Sequence, residues 1–137
     1  MDTVKMQSGF RVNGIILVDN SFHRENHLES GEKVNVSMDI HTDVTVNDRQ
    51  ITVVEEVIVK QVVEEKVQVS ISVKMAGMFE CIGETRISDY DEFGRVNAAA
   101  IIFPYIREHV SSLSLKGGVG AIILPPVNFA ALPKEAE

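Results

Sequence analysis

Four long runs in which apolar and polar residues alternate, joined by connections too short to hold a crossover helix, limit this chain more than any other feature. A period of two belongs to strands with one face buried, and strands with short connections pair antiparallel. In the first run Phe10, Val12, Ile16, Val18 and Phe22 share one parity, while Ile15 and Leu17 add apolar surface to the other. Both faces of that run are therefore expected to be covered. After the polar stretch Asn26 to Lys33, the second run sets Val34, Val36, Met38 and Ile40 against Asn35, Ser37, Asp39 and His41. The third, Gln50 to Val63, is apolar on both parities and is expected to be the most buried. Glu64-Glu65 marks a charged turn, and the fourth run sets Val67, Val69, Ile71, Val73 and Met75 against Gln68, Ser70, Ser72 and Lys74. The expected arrangement is an antiparallel meander.

Beyond Ala76-Gly77 the pattern changes. The stretch Gly83 to Arg95 has the turn-like density of Gly, Asp and Glu expected of an exposed loop. Asn97 stands where an N-cap would precede a helix with apolar positions Ala99, Ile102, Phe103, Ile106, Val110 and Leu113. Pro104 lies within this pattern, so the helix either kinks there or begins near it. Gly117-Gly118 supplies the stop. Val119 to Ala131, with Pro125-Pro126, predicts an apolar extended segment lying on the core. No repeat or linker divides the chain, and residues 1–137 are expected to form one α+β domain.

Composition narrows the function. With 24% charged and 45% hydrophobic residues the chain has the make-up of a globular protein. Its net charge of -7 and scattered basic residues argue against nucleic acid as a partner. One cysteine, Cys81, and an N-terminal stretch without an apolar signal core point to the cytosol. The longest apolar runs fall far short of the roughly 20 residues of a membrane-spanning helix, so no membrane insertion is expected. The glycosylation pattern Asn35-Val36-Ser37 falls inside a predicted strand and reads as chance.

Catalytic chemistry finds no foothold. His23, His27, His41 and His109 lie in different predicted elements without zinc-like spacing to Cys81, so no metal site is expected. Cys81 follows an apolar strand, where a buried structural thiol is commoner than a nucleophile. Gly117-Gly118-Val119-Gly120 follows a helix and lacks the Lys-Ser/Thr of a phosphate loop, which gives no reason to expect ATP or another cofactor. The pairs Glu55-Glu56, Glu64-Glu65 and Asp91-Glu92 read as solvated charge, since strand neighbours point to opposite faces. What stands out is apolar surface in excess of what one sheet and one helix can cover. Such an excess marks an oligomer interface or a binding groove, unless the core is thicker than the elements imply.

Several segments carry a resemblance to the protein-export chaperone family SecB. Ile102-Phe103-Pro104-Tyr105-Ile106-Arg107-Glu108 resembles that family's helix signature, and Leu124-Pro125-Pro126-Val127-Asn128-Phe129 resembles its Pro-Val-Asn-Phe segment. Gly77-Met78-Phe79 is similar to the close of its fourth strand and Asp19-Asn20-Ser21-Phe22 to the end of its first. The order is the same and the matches run from Phe10 to Leu132. The resemblance implies a four-stranded antiparallel sheet with one main C-terminal helix, assembled as a homotetramer, a dimer of dimers. It implies a non-enzymatic, ATP-independent chaperone that binds non-native polypeptides in an apolar groove, with general chaperoning better supported than delivery to the export ATPase SecA. A dedicated chaperone for one partner, such as an antitoxin, is the alternative.

By that resemblance the client-binding residues are Met78, Phe79, Phe103, Tyr105, Ile122, Ile123, Leu124, Pro125 and Val127, with ordinary core packing as the competing role of each. Val69, Ile71 and Val73 are expected at the oligomer interface, because their strand would otherwise offer a pairing-competent apolar surface to water. Asp19 falls on a position where relatives contact the translocase ATPase SecA, while His23, Ser70 and Ser72 occupy other such positions without the acidic charge. The sequence ends at Glu137, soon after the family's last helix would begin, so the metal-binding tail of secretory relatives is not expected.

Overall fold

The computed structural model describes residues 9–82 and 90–132. Strands β1 (Phe10–Arg24), β2 (Val34–Asn47), β3 (Gln50–Val63) and β4 (Lys66–Cys81) form one antiparallel sheet in the order β1-β4-β3-β2. The second to fourth strands are the expected meander. The first is not beside the second: it pairs with β4, and the connection between β1 and β2 crosses to the far edge of the sheet. Both tight turns carry the positive φ that suits right-twisted hairpins, at Asp48 (57°) and at Glu64 and Glu65 (49° and 67°).

Irregularities decide which side chains face the core. Register shifts between Val12 and Gly14 and between Leu17 and Asp19 leave Asn13 and Val18 as bulge residues, each reversing the alternation of β1. Phe10 and Val12, then Ile15 and Leu17, then Asn20, Phe22 and Arg24 therefore pair with the inward residues of β4. This is why both parities of β1 are apolar. Cover on both faces is not found: Val12, Ile16, Leu17 and Val18 are 44% to 52% exposed.

A third shift, between Gln61 and Val62, leaves Gln68 outside the pairing of β3 with β4. Its turned-in side chain is buried. It accepts from Glu29 N (2.9 Å) and donates to Glu29 O (3.0 Å) and to Gln61 Oε1 (2.8 Å), while Gln68 O accepts from Glu25 N (2.9 Å). One bulge thus pins the crossing connection at its start and at its middle.

A continuous helix covers the inner face. It starts at α1 (Tyr90–Glu92), passes through a π-helical turn (Phe93–Ala98) and becomes α2 (Ala99–Lys116). The helical part thus begins before Asn97, inside the stretch expected to be a loop, of which 83–89 lie outside the described residues. The reason is Phe93, which stacks on Phe10 at 3.5 Å between ring centroids and meets Phe79 edge-on at 5.9 Å. The five-residue step from Phe93 to Ala98 matches a π turn and not the α spacing of the residues beyond. Pro104 sits within α2 and cannot donate to the carbonyl one turn back.

The helix lies close to the sheet at two glycines. A Cβ on Gly77 would fall 2.8 Å from Ile102 Cδ1, and one on Gly94 would fall 2.6 Å from Val44 Cγ1. The core is the layer between them: Ile51, Val53, Val57 and Val59 of β3, Val69, Ile71 and Val73 of β4, and Ile102, Ile106 and Val110 of α2. After Gly117, whose N–H donates to Leu113 O at 2.8 Å, the chain returns along the sheet as an extended segment ending in a 3-10 turn (Phe129–Ala131). Buried Ser114 fixes the return, its Oγ donating to Ser111 O and accepting from Ile122 N at 2.8 Å.

Candidate functional site

The returning segment and the β2 edge enclose an open groove of about 470 Å³. Val36 and Met38 of β2 with Gln61 of β3 form one side, and Val119 to Pro125 the other. Leu124 anchors the segment in the core, Ile122 is half-buried, and Ile123 stands 74% exposed at the rim. The local sequence explains this posture. Pro125 and Pro126 have no N–H for a helix or ladder, and the polar link from Ser114 to Ile122 holds the start of the segment.

Of the nine expected client-binding residues, the structure brings Ile122, Ile123, Leu124 and Pro125 together here. Val127 packs half-buried against the core. Phe79 and Phe103 are buried in the protomer, Phe103 edge-on to Phe129 at 5.6 Å, so neither offers surface to a client. Met78 neighbours Phe79 and consequently faces the opposite, outer side of the sheet, where its Cε lies close to Gly14. Tyr105 is 53% exposed on the solvent side of α2. The pleat and the helix separate residues that the expectation from sequence groups together.

The interface expectation changes too. Val69, Ile71 and Val73 are at most 1% exposed, beneath the helix, and have no surface left for another copy. Uncovered apolar surface lies instead on the edge strand β1, at Val12, Ile16, Leu17 and Val18. The bulges that put it there leave no mark in simple alternation. Val36 and Met38 show only strand alternation in the sequence, which carries no sign of a groove.

The outer face mixes apolar residues, among them Ile16, Val54, Ile58 and Met78, with a polar stretch. Asp19 is exposed and pairs in register with Lys74, which reaches Glu56 Oε2 at 3.9 Å. His23, Ser70 and Ser72 lie along the same face. A second cleft, about 730 Å³, opens between the crossing connection and the β3–β4 turn, lined by Glu25, His27, Glu29, Lys66 and Gln68 among others. Among the described residues no group of three His, Cys, Asp or Glu side chains is arranged to hold a metal ion. Cys81 is buried, with its Sγ 3.8 Å from Arg49 Nη2. No helix among the described residues is long and apolar enough to cross a membrane.

One group departs from the sequence reading of solvated charge. Glu56 is on the outer face, but Glu55 points inward, is 0% exposed, and neither of its carboxylate oxygens has a hydrogen-bond partner. Burial pushes its pKa up to about 8.

Comparison with known proteins bears on this architecture. The family described as "Preprotein translocase subunit SecB" matches residues 3–137. Protein-export protein SecB of Hahella chejuensis is 34% identical over 134 residues, covering 95% of this chain and 84% of that protein. That of Saccharophagus degradans is 32% identical over 136 residues, covering 93% and 79%. An uncharacterized protein of Methanocaldococcus jannaschii is 30% identical over 113 residues, covering 80% and 72%. Among solved structures, the SecB-like chaperone of Mycobacterium tuberculosis, in complex with a peptide from an antitoxin, superposes with a TM-score of 0.75 at 12% identity, covering 90% of this chain and 95% of that one. A family match over almost the whole chain, identities of 30% and above, and the same sheet-and-helix fold lead to one conclusion: this chain belongs to the SecB family of chaperones.

Proposed function

We propose that this chain is a nucleotide-independent, non-enzymatic chaperone that captures extended, non-native polypeptide along the groove between β2 and the returning C-terminal segment. The observation that carries the reading is the pairing of a buried anchor, Leu124, with an exposed apolar rim made by Ile123 of the proline-containing segment and Val36 of β2. Fully burying one large apolar client side chain contributes about 1.5–3 kcal/mol. Two or three such contacts, with no fixed polar partners, favour aromatic and branched residues over any strict sequence. Cover for the apolar edge of β1 would come from a second copy, in keeping with a dimer of dimers.

The test is capture of a permanently unfolded probe, reduced and carboxymethylated α-lactalbumin. Ile123→Asp is expected to weaken binding about tenfold or more, because a carboxylate on the rim must lose water when a client arrives. Circular dichroism should stay unchanged, since Ile123 is exposed in the free protein. Undiminished capture by this variant would remove the groove from the reading. Delivery to an export ATPase through Asp19 and the outer face is the proposed route for a secretory role. A second reading, service to one dedicated partner, draws on the antitoxin peptide held by the structurally similar SecB-like chaperone; a single tight co-purifying protein would favour it.

A further inference from the structure

Glu55 lies in the middle of the inner face, in register with Thr42 on β2 and Met75 on β4. The rows on either side of it are apolar: Val44, Val53 and Gly77 on one, Ile40, Val57 and Val73 on the other. Gly94 rests against Val44 and Val53, and Ile102 against Gly77, so the helical stretch from Gly94 to Ile102 crosses the sheet over the row that adjoins Glu55. Ala98 and Ala99, both fully buried, lie within that stretch.

A carboxyl group here has no compensation. Both oxygens are without partners. None of the charged groups on the neighbouring elements bonds to it. Asp39, His41 and Asp43 of β2 belong to the outer face, as do Glu56 and Lys74, which bond each other. Arg24 at the end of β1 donates to Gly117 O. His109 of α2 meets Asn20, and Cys81 lies at the far end of β4. On the helix, Asp91, Glu92, Arg95, Arg107 and Glu108 make no bond to Glu55, and Arg95 Nε is itself buried without a partner. The returning segment from Val119 to Leu132 contributes no charged side chain.

The cover over this acid is also a weak piece of helix. The π-helical turn Phe93–Ala98 departs from α hydrogen bonding, and Pro104 removes one donor from the next turn. We propose that Glu55 and the helical stretch above it form a proton-operated latch: the neutral acid holds the stretch closed on the sheet, and loss of the proton lifts it and opens the inner face beside β2 to an extended polypeptide. The second half of this inference rests on the capture reading above.

The direction follows from linkage. In the closed form the pKa is about 8 against an ordinary 4.5, so the closed form binds the extra proton between those values. Opening therefore becomes more favourable by up to about tenfold per pH unit across that window and levels off above it.

Hydrogen exchange of the full chain, corrected for intrinsic rates, tests the latch from pH 5.5 to 8.5. Wild-type protection of amides 93–103 should fall with pH and flatten near 8, while Glu55→Gln and Glu55→Leu should give flat profiles. A wild-type profile parallel to both variants overturns the latch. So does an equal loss of protection in β3 and β4, which would mean global unfolding. Binding of reduced, carboxymethylated α-lactalbumin should be up to about fiftyfold tighter at pH 8 than at pH 6 for wild type and unchanged for Glu55→Gln. Equal binding at both pH values, with the exchange change present, overturns the opening to polypeptide. Absence of binding throughout defeats the capture reading, and the exchange profile still decides the latch.

Discussion

The two edge strands of the sheet are about equally long and built in opposite ways. β1 carries two bulges and leaves Val12, Ile16, Leu17 and Val18 without cover from its own chain, whereas β2 pairs with β3 without a single register shift. Its apolar residues Met38, Ile40 and Val44 lean on the core, while Asp39, His41 and Asp43 face outward. An edge strand is open to pairing unless something discourages it. Regular alternation with outward carboxylates would discourage another strand from pairing with β2. The bulged, apolar β1 has the makings of a subunit contact.

One cross-strand row joins the two edges, running from Leu17 through Met75 and Glu55 to Thr42, and its β3 member gives the largest expected effect. Replacing Glu55 with Leu should stabilise the protomer increasingly as pH rises. With the folded-state pKa raised from 4.5 to about 8, the wild-type protein loses this stability through that window, for a total of about 5 kcal/mol. Urea unfolding of both proteins at pH 5, 6.5 and 8 measures the gap. A gap that stays constant with pH would show that Glu55 keeps its ordinary titration and that β3 does not set the pH dependence.

The next effect belongs to β1. Leu17→Lys combined with Val18→Lys should reduce the assembled mass by at least half, toward the 15.1 kDa of one chain, with circular dichroism unchanged. Light scattering across micromolar dilution reads it, and an unaltered mass would mean that the apolar edge is not where copies meet. The smallest effect is expected on β2. Asp39→Asn with Asp43→Asn should move stability by no more than about 0.5 kcal/mol. Concentration-dependent association of that variant would show that the two carboxylates actively guard this edge.

Much of the fold was legible because local rules governed it. The third strand was expected to be the most buried, and it supplies Ile51, Val53, Val57 and Val59 to the core. Gly117 ends the helix as expected, and the stretch with Pro125-Pro126 is extended. The rest depended on events outside a local window. Bulges at Asn13 and Val18 exchange the faces of β1, and no composition rule places them. The π turn conceals the first part of the helix, because Phe93 and Ala98 are five residues apart. The adjacent Met78 and Phe79 were placed in one groove although a strand must separate them. Glu55 was read by its chemistry, while its position in the register decided its environment. Ile122 to Pro125 came together because they are consecutive on one extended segment, the case in which order along the chain and proximity coincide.

The seat of β1 beside β4 also sets the order in which this chain can be assembled. β2, β3 and β4 are joined by tight turns and can pair with neighbours already at hand. β1 leaves the ribosome first, yet its partner is the last strand to be made, and Phe10 must wait for Cys81. Long-range pairings of this kind slow folding because the loop must close before any contact rewards it. During that interval both the apolar residues of β1 and the open side of β4 are available to any passing chain. A protein proposed to shelter unfinished chains is thus exposed, through its own topology, to the hazard from which it would shelter them.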